Sequence, residues 1–181
     1  MNIFKTLSLI GFTVLLISCD NNQSLQEYYV DNQSNKEFVA VDIPTSMFAN
    51  TKTLTEEQKK TLETVKKINI LAIPMKEENN SEIEKEKDKI STILKDEKYQ
   101  LLMKYGGADS KMEVYYTGSE EAVDEIIVYG EDKMKGMGIA RVLGEKMNPS
   151  DILQLVRSLQ KGDIDMEGLQ GISKMFSSDQ M

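Results

Sequence analysis

Few side chains in this sequence could take part in chemistry, and their types exclude several classes of enzyme. The chain of 181 residues has one cysteine, no histidine and no tryptophan. Without histidine there can be no Ser-His-Asp triad, no Cys-His pair and no imidazole metal ligand. A single cysteine also excludes an internal disulfide and a cysteine-rich zinc site. We therefore predict no catalytic residues, no cofactor and no metal site, and we expect the protein not to be an enzyme.

The single cysteine, Cys19, stands at the end of an apolar segment near the N-terminus. Lys5 supplies a positive charge ahead of a largely apolar run of eleven residues, 7–17. Such a run is too short to cross a membrane, which takes about 20 residues, but it suits the hydrophobic region of a signal peptide. The tetrad Leu16-Ile17-Ser18-Cys19 resembles the bacterial lipobox. In proteins with a lipobox the signal peptide is removed before the cysteine, which then receives fatty acyl chains.

The lipobox predicts residues 1–18 as a signal peptide and Cys19 as the lipidation site. Several acyl chains, palmitate among them, would hold the protein stably on a membrane, whereas one chain binds only marginally. An ordinary signal peptide and a short buried apolar helix are the alternatives. We expect a cell-envelope protein anchored in the outer membrane and facing the periplasm or the cell surface. The inner membrane remains an alternative because Asp20 follows the cysteine directly.

The overall charge argues against a nucleic-acid partner. The chain has 22 Lys and Arg against 30 Asp and Glu, for a formal net charge of −8. Binding of a phosphate backbone requires a basic face, and only Arg141 and Arg157 could form bidentate phosphate clamps. The expected partners are therefore the membrane, through the acyl chains on Cys19, and another envelope protein.

Paired carboxylates are the remaining candidates for acid–base chemistry. Glu56-Glu57 and Glu120-Glu121 are adjacent acids, but with 30 acidic residues some pairs must occur by chance. Ser46 has no visible base, and lysines are too common for a Ser-Lys dyad to gain weight. A carboxylate-dependent envelope hydrolase or a sugar-binding accessory protein is the alternative function. A pocket with two acids of raised pKa would favour this alternative, whereas an exposed apolar patch would favour a binding module.

Three further patterns look like ligand sites but are better explained by local structure. Residues 163–168 begin like a calcium loop, but the closing position holds Lys174, where a glutamate is needed. The glycine clusters 106–107 and 136–138 lack the lysine and hydroxyl residues of a phosphate loop, so we interpret them as turns. The methionines most simply fill the core; a copper site or an adaptable contact surface is the alternative for one group, Met112, Met134, Met137 and Met147.

The elements that must position these residues can be predicted from periodicity. Residues 37–43 and 68–73 read as strands, and a capping box at 55–58 predicts a helix between them. This order indicates a βαβ unit or a split version of it. A charged helix then follows, which we expect to bend or restart at Asp96. One apolar stripe predicts that it ends at Gly106-Gly107: Ile83, Ile90, Leu94, Leu101 and Tyr105.

The second half of the chain predicts a meander followed by a helix. Residues 111–117, 123–129 and 138–143 read as strands separated by short turns, which favours antiparallel hairpins. Asn148 is a good N-cap for the last clear helix. The predicted fold is α/β of the α+β type, a two-layer sandwich with about five mostly antiparallel strands and helices packed on one face.

The chain is expected to divide into four segments. Residues 1–18 form the signal peptide, and residues 19–36 hold the acylated cysteine and a flexible tether, because they are rich in polar residues and lack an apolar period. The Tyr28-Tyr29-Val30 cluster could instead dock on the domain or form a short helix. Residues 37–160 form a single domain, and residues 161–181 form a weak C-terminal helix, over 166–176, and a tail.

Several packing and turn patterns stand in a fixed order along residues 37–160. They are the strand 38–43 with 46–48, the segments 68–71 and 99–103, the strand 112–116, and a strand ending in Gly144 that leads into 148–152. This order resembles the domain of unknown function 4252 family of Gram-negative envelope lipoproteins. The resemblance implies an envelope protein without an established activity and carries over no functional residue. We expect a lipid-anchored, non-catalytic binding module that uses an edge strand or the methionine-bearing hairpin as its contact surface.

Overall fold

The structure is a computed structural model that describes residues 23–45 and 54–160. The predictions for the signal peptide, Cys19, Ser46, the calcium-like loop and the weak C-terminal helix lie outside these residues. The described part contains four helices and six strands. In chain order they are α1 (Leu25–Asn32), β1 (Val39–Pro44), α2 (Glu56–Thr64), β2 (Val65–Pro74), α3 (Asn80–Ile93), β3 (Gln100–Gly106), β4 (Ser110–Ser119), β5 (Ala122–Asp132), β6 (Gly136–Met147) and α4 (Pro149–Gln160).

All six strands form one antiparallel sheet in the order β1-β2-β6-β5-β4-β3. The predicted α+β class is confirmed, with six strands instead of about five. The three alternating segments of the second half are strands β4, β5 and β6, paired as hairpins as predicted. Strands of period two expose and bury alternate side chains, which is why this part of the sequence was informative.

The additional strand, β3, corrects the prediction of a long helix up to Gly106. Helix α3 ends at Ile93, and Gln100–Gly106 pairs with β4. Asp96 stops the helix because its Oδ1 accepts the backbone N–H of Lys98 at 3.0 Å, a local turn that competes with helical hydrogen bonding. The apolar spacing continued across this break by coincidence.

The predicted βαβ unit is wrong, and so is its split version. Strands β1 and β2 are antiparallel neighbours, with Val41 opposite Ile70. Helix α2 does not cross the sheet between them, since its C-cap, Val65, is already the first residue of β2. The capping box that begins α2 is confirmed: the Thr55 hydroxyl accepts from Gln58 N–H at 3.2 Å.

The flexible tether predicted for residues 19–36 is wrong for residues 25–32, which form α1. A capping box of Ser24 and Glu27 begins this helix, and Leu25, Tyr28 and Tyr29 are buried. The alternative for the Tyr28-Tyr29-Val30 cluster, a short helix docked on the domain, is confirmed. The sequence left it open because only a few residues of the helix are apolar. Its docking face combines apolar burial with hydrogen bonds from tyrosine hydroxyls, a pattern that resembles a polar linker when only hydrophobic period is considered.

The helices pack on the sheet unequally. Helices α1 and α3 cover one face, which we call the covered face, over a cluster that includes Leu71, Ile127 and Ile139. On the opposite face, α4 contributes Ile152 to a second cluster. Helix α2 packs beside α4 through a small group that includes Leu155. The opposite face is therefore covered by helices at one end only among the described residues, and the prediction that the helices pack on one face is wrong.

The last helix begins as the sequence predicts. The Asn148 side-chain oxygen accepts from the backbone N–H groups of Ser150 and Asp151, at 2.9 and 3.3 Å. These bonds satisfy donors that the first helical turn leaves unpaired. Within the described residues, no helix is both long enough and apolar enough to span a membrane.

Candidate interaction surface at the free edge of the sheet

Strand β3 lies at one edge of the sheet and is exposed along its whole length. All seven of its residues are exposed. Four are large apolar residues with exposed fractions of 53%, 40%, 40% and 73%: Leu101, Leu102, Met103 and Tyr105. In the described part of the chain, β3 pairs only with β4. One side of β3 therefore offers backbone donors and acceptors to a further strand.

A β-bulge divides β3 into two parts. The register with β4 shifts between Leu101 and Met103, so that Leu102 is the additional residue. Beyond the bulge, Met103 lies opposite Val114 and Tyr105 lies opposite Met112. Bulges are one of the devices that limit edge-to-edge pairing, but this one leaves residues 103–106 in regular register.

A buried carboxylate beneath β3 fixes this strand on the sheet. Glu113 of β4 has an exposed side-chain fraction of only 8% and forms ion pairs with Lys104 at 3.0 Å and Lys111 at 3.2 Å. The Tyr115 hydroxyl donates to the same carboxylate at 3.0 Å. Although burial disfavours the charged form of Glu113, the hydrogen bonds from Lys104, Tyr115 and Lys111 outweigh it and lower its pKa. Burial, together with the Glu113 hydrogen bond, raises the pKa of Tyr115 to about 12.

The two ends of β3 are also fixed. At its start, the Tyr116 hydroxyl donates to the side-chain oxygen of Gln100 at 2.8 Å. At its end, the Gly107 N–H donates to the Ser110 carbonyl at 2.8 Å and closes the hairpin. A Cβ on Gly106 would lie 2.5 Å from the Ser110 oxygen, so the hairpin requires glycine there. The prediction that this glycine cluster forms a turn is confirmed, and the exposed strand is held in a defined shape.

A cleft of about 430 Å³ opens beside the end of β3, between the β3–β4 hairpin and the turn from β5 to β6. Four lysines and three carboxylates stand in its lining. Lys133 contacts Asp109 at 3.1 Å, and Lys87 lies 4.0 Å from Glu131. The other two lysines of the lining pair with Glu113 of β4. Tyr105 stands in its lining.

The candidate acid pairs lie apart from one another at the surface. Glu56 and Glu57 lie exposed at the start of α2, and Glu120 and Glu121 lie exposed in the turn between β4 and β5. The hydrogen bond from Lys59 lowers the pKa of Glu56. Glu56 and Glu57 stabilise the first turn of the helix, as acids at a helix N-terminus do. Glu120 and Glu121 are turn residues.

The methionines do not form one sulfur site. Met137 packs in the cluster of the covered face, and Met147 packs in the second cluster. Met134 is exposed at the tip of the β5–β6 turn, with an exposed fraction of 84%. Core filling is confirmed for Met137 and Met147. In residues 23–45 and 54–160, no group of three or more Asp, Glu, His or Cys is placed to hold a metal ion.

Sequence reasoning anticipated an edge strand as the contact surface but did not find this one. The available signal was the run Leu101-Leu102-Met103, which is too dense for the single stripe of an exposed helix. The Gly106-Gly107 pair, directly before an alternating strand, was a second signal. Together they fit a hairpin as well as a helix C-cap.

Comparison with known proteins gives one match. A family model described as domain of unknown function (DUF4252) matches residues 28–155, more than half of the chain. The matched region includes all six strands and parts of α1 and α4. No curated protein and no solved structure matches the chain.

Proposed function

The chain belongs to the DUF4252 family, and on that premise we propose that it is a lipid-anchored, non-catalytic binding module of the cell envelope. Acyl chains on Cys19 supply the anchor, and β3 supplies the contact surface. The observation that carries the proposal is the exposure of all seven residues of β3 at a sheet edge. Binding there adds a strand from the partner, with backbone hydrogen bonds for affinity and side-chain contacts for specificity.

The side chains of β3 support binding better than catalysis. Leu101, Leu102, Met103 and Tyr105 supply apolar and aromatic contact area, which is enriched in protein interfaces. Every carboxyl group with a resolved pKa shift among the described residues is shifted downward: Glu27, Glu56, Asp96, Glu113 and Glu145. A carboxylate general acid needs a raised pKa. These shifts give no support to a hydrolase.

The position of α1 supports a contact close to the membrane. Five residues separate Cys19 from the helix that begins at Leu25, and an extended chain of that length spans about 17 Å. The tether is therefore much shorter than the segment 19–36 that the sequence predicts. A domain held this close to the bilayer meets partners in the same membrane or at its surface.

One observation favours a second function, a sugar-binding accessory protein. The cleft beside β3 is lined by four lysines and three carboxylates. Sugar hydroxyl groups exchange hydrogen bonds with such charged groups. Calorimetric titration with envelope polysaccharide fragments tests this function, with Lys133→Ala as the variant expected to lose binding.

Site-specific photo-crosslinking in intact cells tests the contact surface. A benzoyl-phenylalanine at position 105 of the full chain is expected to form an adduct with one envelope protein. The same probe at position 134, which is equally exposed, should not form that adduct. Met103→Lys should reduce the adduct at least tenfold, because a charge on β3 opposes an apolar contact, whereas Met134→Lys should leave it unchanged. Identical adducts from both positions would overturn the assignment to β3.

Fatty-acid labelling and fractionation test the anchor separately. Cys19→Ala is expected to abolish incorporation of labelled palmitate and to remove the protein from the membrane fraction. A variant that keeps its label and stays in the membrane would show that Cys19 is not the lipidation site. Separation of the membranes on a density gradient then tests the expectation of an outer-membrane anchor.

A further inference from the structure

Two adjacent rows of uncharged side chains cross all six strands on the face opposite α1 and α3. One row consists of Val41, Ile70, Ala140, Val128, Val114 and Met103. The next row consists of Val39, Ala72, Gly138, Gly130, Met112 and Tyr105. We call these two rows the apolar trough. None of its twelve residues carries a charge, which is unusual for a sheet face without a covering layer.

The trough has a low floor and raised borders. On the middle strands β2, β6 and β5, four of the six trough positions hold glycine or alanine, and the other two hold Ile70 and Val128. The edge strands β1 and β3 hold only larger side chains. The neighbouring row, which includes Val142 and Ile126, packs against Ile152 of α4. Helix α4 therefore forms one wall. From strand spacing and rise, the trough measures about 24 Å across the strands and about 14 Å along them.

The described residues leave much of the trough uncovered. Val39, Val41, Ile70, Ala140 and Met112 are half-buried, and none belongs to the hydrophobic clusters that the described residues form. Met103 and Tyr105 are exposed at its β3 end. We expect a contiguous apolar surface of this kind to be covered by another segment or another molecule.

We propose that the occupant is this chain's own C-terminal segment, residues 165–176. Read with helical periodicity, four of its five large apolar residues fall on one side, Leu169, Ile172, Met175 and Phe176, and Met166 falls on the other. Glu167, Gln170, Ser173 and Lys174 fall on the other. Asp165 has the residue type and position of an N-cap. The segment thus offers an apolar stripe and a polar back, as a covering layer requires.

The dimensions and the connection fit this occupant. A helix of twelve residues is about 18 Å long and 10–12 Å wide, which fits the trough. The segment follows α4, the wall of the trough, after a link of four residues, 161–164, that can span about 14 Å. Because the segment is tethered, its docking does not require a second molecule to be captured from solution.

A second copy of the chain is a poorer fit. The trough offers roughly 340 Å² of surface, whereas a stable dimer buries about 800 Å² per partner. A face-to-face dimer would also bring together two chains that each carry a net charge of −8. The C-terminal segment has neither difficulty.

Thiol labelling of the trough floor tests the proposal independently of β3 and of the lipid anchor. The full chain with Cys19→Ser and Ala140→Cys carries one thiol in the trough, and Cys19→Ser with Met134→Cys provides an exposed reference. We expect a maleimide to react at position 140 at least tenfold more slowly than at position 134. Equal rates would overturn the proposal.

Charges placed on the two sides of the segment identify the occupant. Leu169→Asp with Ile172→Asp should raise the labelling rate at position 140 at least tenfold. The matched pair Gln170→Asp with Ser173→Asp adds the same charge on the polar side and should leave the rate unchanged. The proposal would be overturned if the first pair left the labelling rate unchanged, or if both pairs changed it equally. A labelling rate that falls as the protein concentration rises would also overturn it, because it would point to a second copy of the chain.

Discussion

The two edges of the sheet are protected very differently. At one edge, β1 ends in Pro44, which cannot donate to a further strand. Its Asp42 accepts hydrogen bonds from the Tyr29 hydroxyl of α1 and from the Asn69 side chain. At the other edge, β3 has seven exposed residues and no helix packed over it among the described residues. One edge is closed by a proline and a docked helix, and the other is limited only by a bulge and one lysine.

The difference teaches where this fold accepts an exposed apolar strand. Natural sheets shield their edges because an open edge promotes aggregation. This fold protects the edge at β1 in several ways but leaves the edge at β3 open. The difference therefore favours a binding function for the β3 edge, and substitutions at each edge test it.

The largest effect is expected from Tyr28→Ala, on the protected side. Tyr28 is 1% exposed, and its hydroxyl donates to the buried Glu86 at 2.7 Å. Its removal leaves a cavity and takes from the Glu86 carboxylate one of its two partners, the other being Lys89 at 2.6 Å, so we expect the free energy of unfolding to fall by about 3–5 kcal/mol. Urea unfolding followed by circular dichroism measures this change. A loss below about 1 kcal/mol would show that α1 is not part of the core.

A smaller, pH-dependent effect is expected from Glu113→Gln beneath β3. The pKa of Glu113 is lowered in the folded protein, so its charge stabilises the fold above the unfolded pKa, about 4.3. That stabilisation is lost as the pH falls through the folded pKa. We expect Glu113→Gln to lower the free energy of unfolding at pH 7 by about 1 kcal/mol and to flatten its decline in acid. Melting temperatures from pH 2 to pH 7 measure both. An unchanged acid slope would contradict the assignment of the shift to Glu113.

The smallest effect on stability is expected from Tyr105→Ala on the open edge. Because Tyr105 is 73% exposed, the free energy of unfolding should change by about 0.5 kcal/mol or less. The same variant should lose partner binding if β3 is the contact site. A large loss of stability measured in the same urea experiment would remove the contrast between the two edges.

The sequence predicted those parts of the fold whose periodicity is unambiguous. Apolar and polar residues alternate clearly along strands β4, β5 and β6. Thr55 and Asn148 indicate helix starts because their own side chains cap the helices. Helix α1 could be given only as an alternative, because its docking depends on the Tyr28 and Tyr29 hydroxyls meeting Glu86 and Asp42, which lie far away in the sequence. Such partners are set by the tertiary fold and leave no local period.

The sequence predicted that an edge strand is the contact surface, but it did not predict which strand. An edge strand was expected, yet the residues of β3 were assigned to a helix because Leu101 and Tyr105 continued the stripe of α3. Strand order decides which strand is an edge, and strand order depends on pairings between distant segments. The sequence of a single chain contains the pairing residues but not their register.

The way α1 is held has a structural consequence. The helix forms hydrogen bonds to three elements and one loop. Tyr29 bonds to Asp42 of β1, and Tyr28 bonds to Glu86 of α3. Gln26 accepts from Arg141 of β6 at 2.9 Å, and the Leu25 N–H donates to the Tyr99 hydroxyl, in the loop before β3, at 3.2 Å. Helix α1 thus ties together parts of the chain that are far apart in the sequence, so its loss would release β1, β6, α3 and the loop before β3 from a shared anchor.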